Sequence, residues 1–185
     1  MPERDAALPG RERGLVTVCL TACFLLGALL GCLLAVRTGG QGEEILRLCL
    51  DSSILLGDAG IPALLWYGLR FLLLALLCGI LSFRLVSLPL LLAVRGLILG
   101  FFFSLLFCVL GGAGLFWGIC TAGVSAMLLE PCLFRIAVQA LTRSRRRGFS
   151  MPCSFGTLAF CAAALTCHTL FLHYLAPLLL TWVGG

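Results

Sequence analysis

Apolar residues arrive in five long blocks: Leu15–Val36, Pro62–Phe83, Leu85–Leu110, Leu115–Leu141 and Phe155–Leu175. Each holds at least 21 residues. At ~1.5 Å of rise per residue, each is long enough as a helix to cross ~30 Å of hydrocarbon. Lipid offers no partner to backbone N–H and C=O groups, so each block is predicted to be a helix. Periodicity adds little, because the blocks are apolar all round. The expected fold is an all-α integral membrane protein with five transmembrane helices. Residues 1–14 read as a cytoplasmic tail, and residues 15–185 as a single membrane domain.

Composition agrees with the pattern. Of 185 residues, 61% are hydrophobic and 11% charged, and the mean hydropathy is +1.13. A soluble domain carries about twice that share of charge. The balance excludes a soluble enzyme, an extracellular disulfide scaffold and a disordered tail. Eleven cysteines are present without a C-x-x-C, and nine lie inside the apolar blocks, where they read as small hydrophobes. A lipoprotein-like stretch, Leu29-Leu30-Gly31-Cys32, has Leu30 where a cleavage site needs a small residue, so no cleavage is expected.

Every basic residue is an arginine, and the short loops carry them unevenly. Arg4, Arg11 and Arg13 precede the first block, Arg84 follows the second, and Arg143, Arg145, Arg146 and Arg147 follow the fourth. The positive-inside rule places these segments in the cytoplasm and the C-terminus outside. The net charge of +5 has no long basic face, so no nucleic-acid partner is expected. On the outer side, Arg37–Ile61 has apolar Ile45, Leu48, Cys49, Leu55 and Leu56 on one helical face. Arg47, Asp51 and Asp58 share the other. That pattern predicts an amphipathic helix on the outer leaflet, with those three charges as a candidate partner surface.

Two charges lie deep in the blocks at matched depth. Arg95 precedes Gly111 by 16 residues, and Glu130 follows Gly114 by 16. In an antiparallel hairpin both sit about 24 Å from the turn, so they are expected to pair. An unpaired charge there costs ~2.5–3.5 kcal/mol. Arg70 and Arg135 lie near block ends and can snorkel. Pro131 is expected to kink its helix. The pairs Gly27/Gly31, Gly96/Gly100 and Gly114/Gly118 have the spacing that lets membrane helices approach closely.

Catalytic patterns are sparse. Gly123-Val124-Ser125-Ala126 is a partial match to an intramembrane serine-protease motif, but its second glycine is missing. His168 and His173 read as interfacial side chains at the end of the fifth block. No metal motif, paired aspartates or nucleotide loop occurs, so no enzyme activity, cofactor or metal is expected.

The order of short motifs carries a resemblance. Leu88-Pro89, Arg95-Gly96 and Gly100-Phe101 stand in the stretch LLALLCGILSFRLVSLPLLLAVRGLILGFFFSLLF. A glycine turn, a span containing Pro131, a basic loop at Arg143–Arg147 and Tyr174-Leu175-Ala176-Pro177 follow in order. In this sequence of features the chain resembles the stage II sporulation protein M family of endospore-forming bacteria. It departs from the family in placing Glu130 directly before Pro131, where many members have an acid two residues before.

The resemblance implies a non-enzymatic membrane scaffold that anchors peptidoglycan hydrolases, stage II sporulation proteins D and P, for septal wall thinning and engulfment of the forespore. It implies a location in the mother-cell membrane at the sporulation septum. The alternative reading is a small transporter or channel subunit that uses the Arg95/Glu130 pair.

Overall fold

The structure is a computed structural model that describes residues 10–38, 42, 44–45, 61–81, 83–142 and 155–175. Five helices in it are long and apolar enough to cross a membrane. We label them α1 (Gly10–Thr38), α2 (Ile61–Ile80), α3 (Arg84–Gly118), α4 (Val124–Thr142) and α5 (Phe155–Leu170). Two single π-helical turns, Ile119–Gly123 and Phe171–Leu175, precede α4 and follow α5. Among the described residues there is no strand.

The helices follow the apolar blocks, with informative differences at their ends. α1 begins at Gly10 rather than Leu15, since polar residues Arg11–Arg13 continue the helix at no cost in water. α2 stops at Ile80, where Leu81 still donates to Leu77 and Arg84 donates to Leu81, making a tight reversal into α3. The third and fourth blocks are one continuous helical hairpin. Gly111, at φ 63°, ψ −141°, is the non-helical residue inside α3. Only glycine takes that conformation freely. Beyond it the chain turns back: a Cβ on Gly118 would meet Leu106 at 2.8 Å and the Phe103 ring at 3.2 Å. Pro131 does not break α4, which runs helical from Val124 to Thr142. The irregular backbone lies instead in the π-helical turn at Ile119–Gly123, eight residues before the proline.

Packing uses two kinds of surface. The first is a seam of small residues between α1 and α3, which contact each other more extensively than any other pair of helices. Gly27 and Gly31 face the backbone of Ala93 and Leu97, while Gly96 and Gly100 face that of Phe24 and Ala28. A Cβ on any of the four would overlap a carbonyl oxygen of the opposite helix. Positions rise together on both helices, so α1 and α3 run parallel. Such contact matters in lipid, where no hydrophobic force draws helices together and close van der Waals packing takes its place. Cys32 adds a thiol donor to the Gly100 carbonyl at 3.6 Å.

The second surface is a leucine-rich core. Leu88 and Leu92 of α3 meet Leu72 of α2 and Leu133 and Ile136 of α4, all essentially buried. A smaller cluster, Ala35, Leu105 and Leu106, extends the seam past its glycines. Ile45 packs on this cluster, and a Cβ on Gly42 would touch Leu105 and Val109. That contact places the start of the segment between α1 and α2 against the bundle. Arg47, Leu48, Cys49, Asp51, Leu55, Leu56 and Asp58, which define the expected amphipathic helix, lie outside the described residues. So do Arg143–Arg147 and Pro177. The exterior is apolar: Leu25, Leu29, Leu33, Leu77, Val86 and Leu90 all stand exposed, as lipid-facing side chains do.

The seam yields a prediction. Gly31→Ala and Gly96→Ala should each destabilise the bundle by about 1–3 kcal/mol, the usual result of overpacking. Gly14→Ala and Gly156→Ala, whose Cβ atoms would meet nothing within 4 Å, should stay within about 0.5 kcal/mol of the parent. Unfolding in mild detergent titrated with SDS measures both.

Candidate functional site

The bundle core contains a polar cluster built by four helices. α3 turns Leu88, Leu91, Leu92 and Arg95 to one face by its three- and four-residue spacing, so Arg95 enters the core with its leucine neighbours. The hairpin at Gly111 brings Glu130 of α4 to the same depth. Arg95 Nε donates to Glu130 Oε1 at 2.9 Å, with side-chain exposures of 5% and 13%. α2 supplies Phe71, whose ring centroid lies 4.5 Å from the Arg95 guanidinium carbon. A cation over an aromatic face gains further electrostatic stabilisation, and more so when desolvated.

α5 supplies His168. The residues Thr157, Cys161, Leu165, His168 and Thr169 share the buried face of this helix. His168 is fully enclosed, with 0% exposure. It faces the interior of the bundle and not its surface. Its spacing from Leu165 turns it inward, and Gly68 of α2 leaves room for it. A Cβ on Gly68 would meet Leu165 at 2.6 Å and His168 Nδ1 at 3.3 Å. His173, in the π-helical turn, is half-buried and stacks edge-on against exposed Tyr174.

The remaining expected residues sort cleanly. Leu88 is completely buried, and Gly96 and Gly100 form the α1–α3 seam. Pro89 sits in the second turn of α3, where it has no N–H to donate to the Leu85 carbonyl, and Phe101 packs beside the Ala35–Leu105–Leu106 cluster. Arg70 and Arg135 lie on the bundle exterior and stack over Phe71 at 5.0 Å and Phe160 at 5.3 Å. Cys19, Cys23, Cys32, Cys78, Cys108, Cys132, Cys161 and Cys167 are free thiols. Cys132 and Cys161 are buried, whereas Cys19, Cys108 and Cys167 face outward.

Sequence reasoning missed one clasp. Gln139 of α4 donates to Thr157 of α5 at 2.7 Å, a bond that sets the antiparallel register of the two helices. The signal was available: Gln139 is the one amide in the fourth block, and Thr157 begins the polar and small stripe of α5.

Chemically the cluster holds a neutralised ion pair, an imidazole and an aromatic ring. It has no nucleophile–base arrangement, because neither nitrogen of His168 bonds to a described residue, Ser125 included. Among the described residues no three His, Cys, Asp or Glu side chains are grouped to hold a metal ion. No protein-family model, curated protein or solved structure matches the chain.

The pair can be tested by a double-mutant cycle. Arg95→Ala and Glu130→Ala should each cost about 3–5 kcal/mol, because each strands the other charge in the core. The double mutant should cost less than the sum, since it strands neither. Additive losses in the same SDS titration would show that the two charges act independently.

Proposed function

We propose that the chain is a non-enzymatic membrane scaffold of endospore formation. Its role would be similar to that of stage II sporulation protein M, which gathers the peptidoglycan hydrolases D and P at the septum. What supports this reading is where the resemblance falls in the bundle. Arg95-Gly96, Gly100 and Leu88 carry it, and these residues assemble the fold: Gly96 and Gly100 seat α1, Arg95 holds α4, and Leu88 fills the core. Because the residues that carry the resemblance are packing residues, what supports the proposal is a likeness of architecture, and the scaffold role is proposed by analogy with the family.

The orientation belongs to the same proposal. The N-terminus lies in the cytoplasm and the C-terminus outside, following the arginine distribution. The segment between α1 and α2 then lies outside, with Arg47, Asp51 and Asp58 offered to the hydrolases by an amphipathic helix. Topology reporters fused at Arg145 and Gly185 should report cytoplasm and exterior respectively. The same signal at both positions would reject the orientation.

Function is tested by deletion. Sporulating cells without the protein should arrest at the septum with thick wall between the compartments, and affinity capture in mild detergent should recover wall hydrolases. Charge reversal of Asp51 and Asp58 should weaken that recovery while leaving membrane insertion intact. Normal engulfment in the null strain would sink the scaffold reading.

A second reading, a small transporter or channel subunit, draws on the buried Arg95–Glu130 pair with His168 nearby, since ionisable groups enclosed in membrane helices often mark ion or proton paths.

A further inference from the structure

Among the described residues, the buried side-chain polar atoms without a hydrogen-bond partner belong to three residues. They are Oε2 of Glu130, both ring nitrogens of His168, and Nδ1 of His173. These atoms are ordered along the bundle. α4 and α5 run antiparallel, with Gln139 against Thr157 and Arg135 against Phe160. That register puts His168 about two to three residues, less than one turn, beyond the depth of Glu130, toward the C-terminal end of α5. His173 follows five residues later, in the π-helical turn next to exposed Tyr174.

The donors and acceptors restrict what can satisfy these atoms. Glu130 Oε2 needs a donor. A neutral imidazole needs one donor and one acceptor. A metal cation is opposed by Arg95, and an anion by Glu130. Water supplies both functions, adds no charge to a pair that already cancels, and is the usual partner of enclosed polar groups. In the other direction the seam between α4 and α5 is closed. Cys132, Leu133, Ile136 and Cys161 fill it with apolar side chains, and Gln139 and Thr157 beyond them are bonded to each other.

We propose that internal water joins Glu130 Oε2 to His168 and continues past His173 to the aqueous phase at the C-terminal end of α5. The bundle thereby contains a one-sided hydrated pocket that lets the buried carboxylate and imidazole exchange protons with a single face of the membrane. A proton from the water on the His173 side enters the unprotonated nitrogen of the imidazole, and the N–H proton on its other nitrogen passes through water to the carboxylate oxygen. The reverse steps return it, so the imidazole ends neutral and no charge crosses the bundle. The inference stands on the orphaned atoms and the closed seam, and does not depend on the scaffold reading.

The chain has only two histidines, which makes a clean test possible. Full-length protein labelled with 15N-histidine is placed in lipid bilayers and studied by solid-state NMR, with His173→Asn assigning the His168 resonances. The expected result is a water cross-peak to the His168 ring and loss of its N–H signal within minutes of transfer to D2O. In His173→Leu the same exchange should slow by at least about tenfold, as protection by a dry barrier requires. A His168 ring that shows no water contact and keeps its proton for hours overturns the proposal. Exchange equally fast in His173→Leu overturns the route past His173.

Discussion

A guanidinium enclosed among membrane helices must be neutralised, and the way this chain neutralises Arg95 organises the rest of it. The cost of leaving it alone is several kcal/mol, comparable to a large part of a domain's stability. Pairing it with Glu130 requires that α3 and α4 run antiparallel and reverse at a fixed distance from both charges. Gly111 supplies the reversal, because its positive φ is closed to residues with a side chain. Arg95 also has Gly96 as its neighbour. One step along a helix rotates by about 100°, so the arginine faces α2 and α4 while the glycine faces α1. The dipeptide joins two packing systems at one level of the bundle.

Those two systems answer different physical demands. Along α1 and α3 the helices gain nothing by hiding leucine from lipid, which is itself apolar. They gain by close backbone contact, and the four glycines permit it. Between α2, α3, α4 and α5, larger side chains fill space around the charge pair and keep lipid from it. The exposed leucines of α1 then face outward, since its inner stripe is given over to Gly27, Ala28, Gly31 and Ala35. A soluble protein would invert this arrangement, and here the large residues lie outside because the surroundings are apolar.

Much of this was legible in the sequence, for reasons that differ by feature. Block length and hydropathy gave five helices because a bilayer permits no other backbone solution. The hairpin could be read from counting, since helix rise is constant and Arg95 and Glu130 are equidistant from the glycine turn. The glycine pairs were visible as spacing, but spacing names no partner. That Gly27/Gly31 meet Gly96/Gly100 is a fact of tertiary packing between residues some seventy positions apart. The inward direction of His168 was not legible, because position along a span gives depth and not direction. Its inward aim depends on phase with Thr157, Cys161 and Leu165, and on Gly68 in another helix. Pro131 was expected to kink α4, and the helix assignment runs unbroken through it, since a proline inside a membrane helix is tolerated when neighbouring helices hold the backbone in place. The π-helical turn had no sequence signal, as an inserted residue shifts phase without changing composition.

The separation of packing and polar residues also bears on what the protein can do. The seam between α1 and α3 is made of close backbone contact together with the Cys32 thiol bonded to the Gly100 carbonyl, and substitution at its glycines tests assembly. The polar cluster is different. Arg95 is shared with the fold, but His168 and His173 are not needed to cancel any charge, and an apolar residue at either place would relieve the burden of orphaned nitrogens. Burying an imidazole without a protein partner costs stability that packing alone does not return. That cost marks His168, rather than the Arg95–Glu130 pair beside it, as the position whose retention packing does not explain.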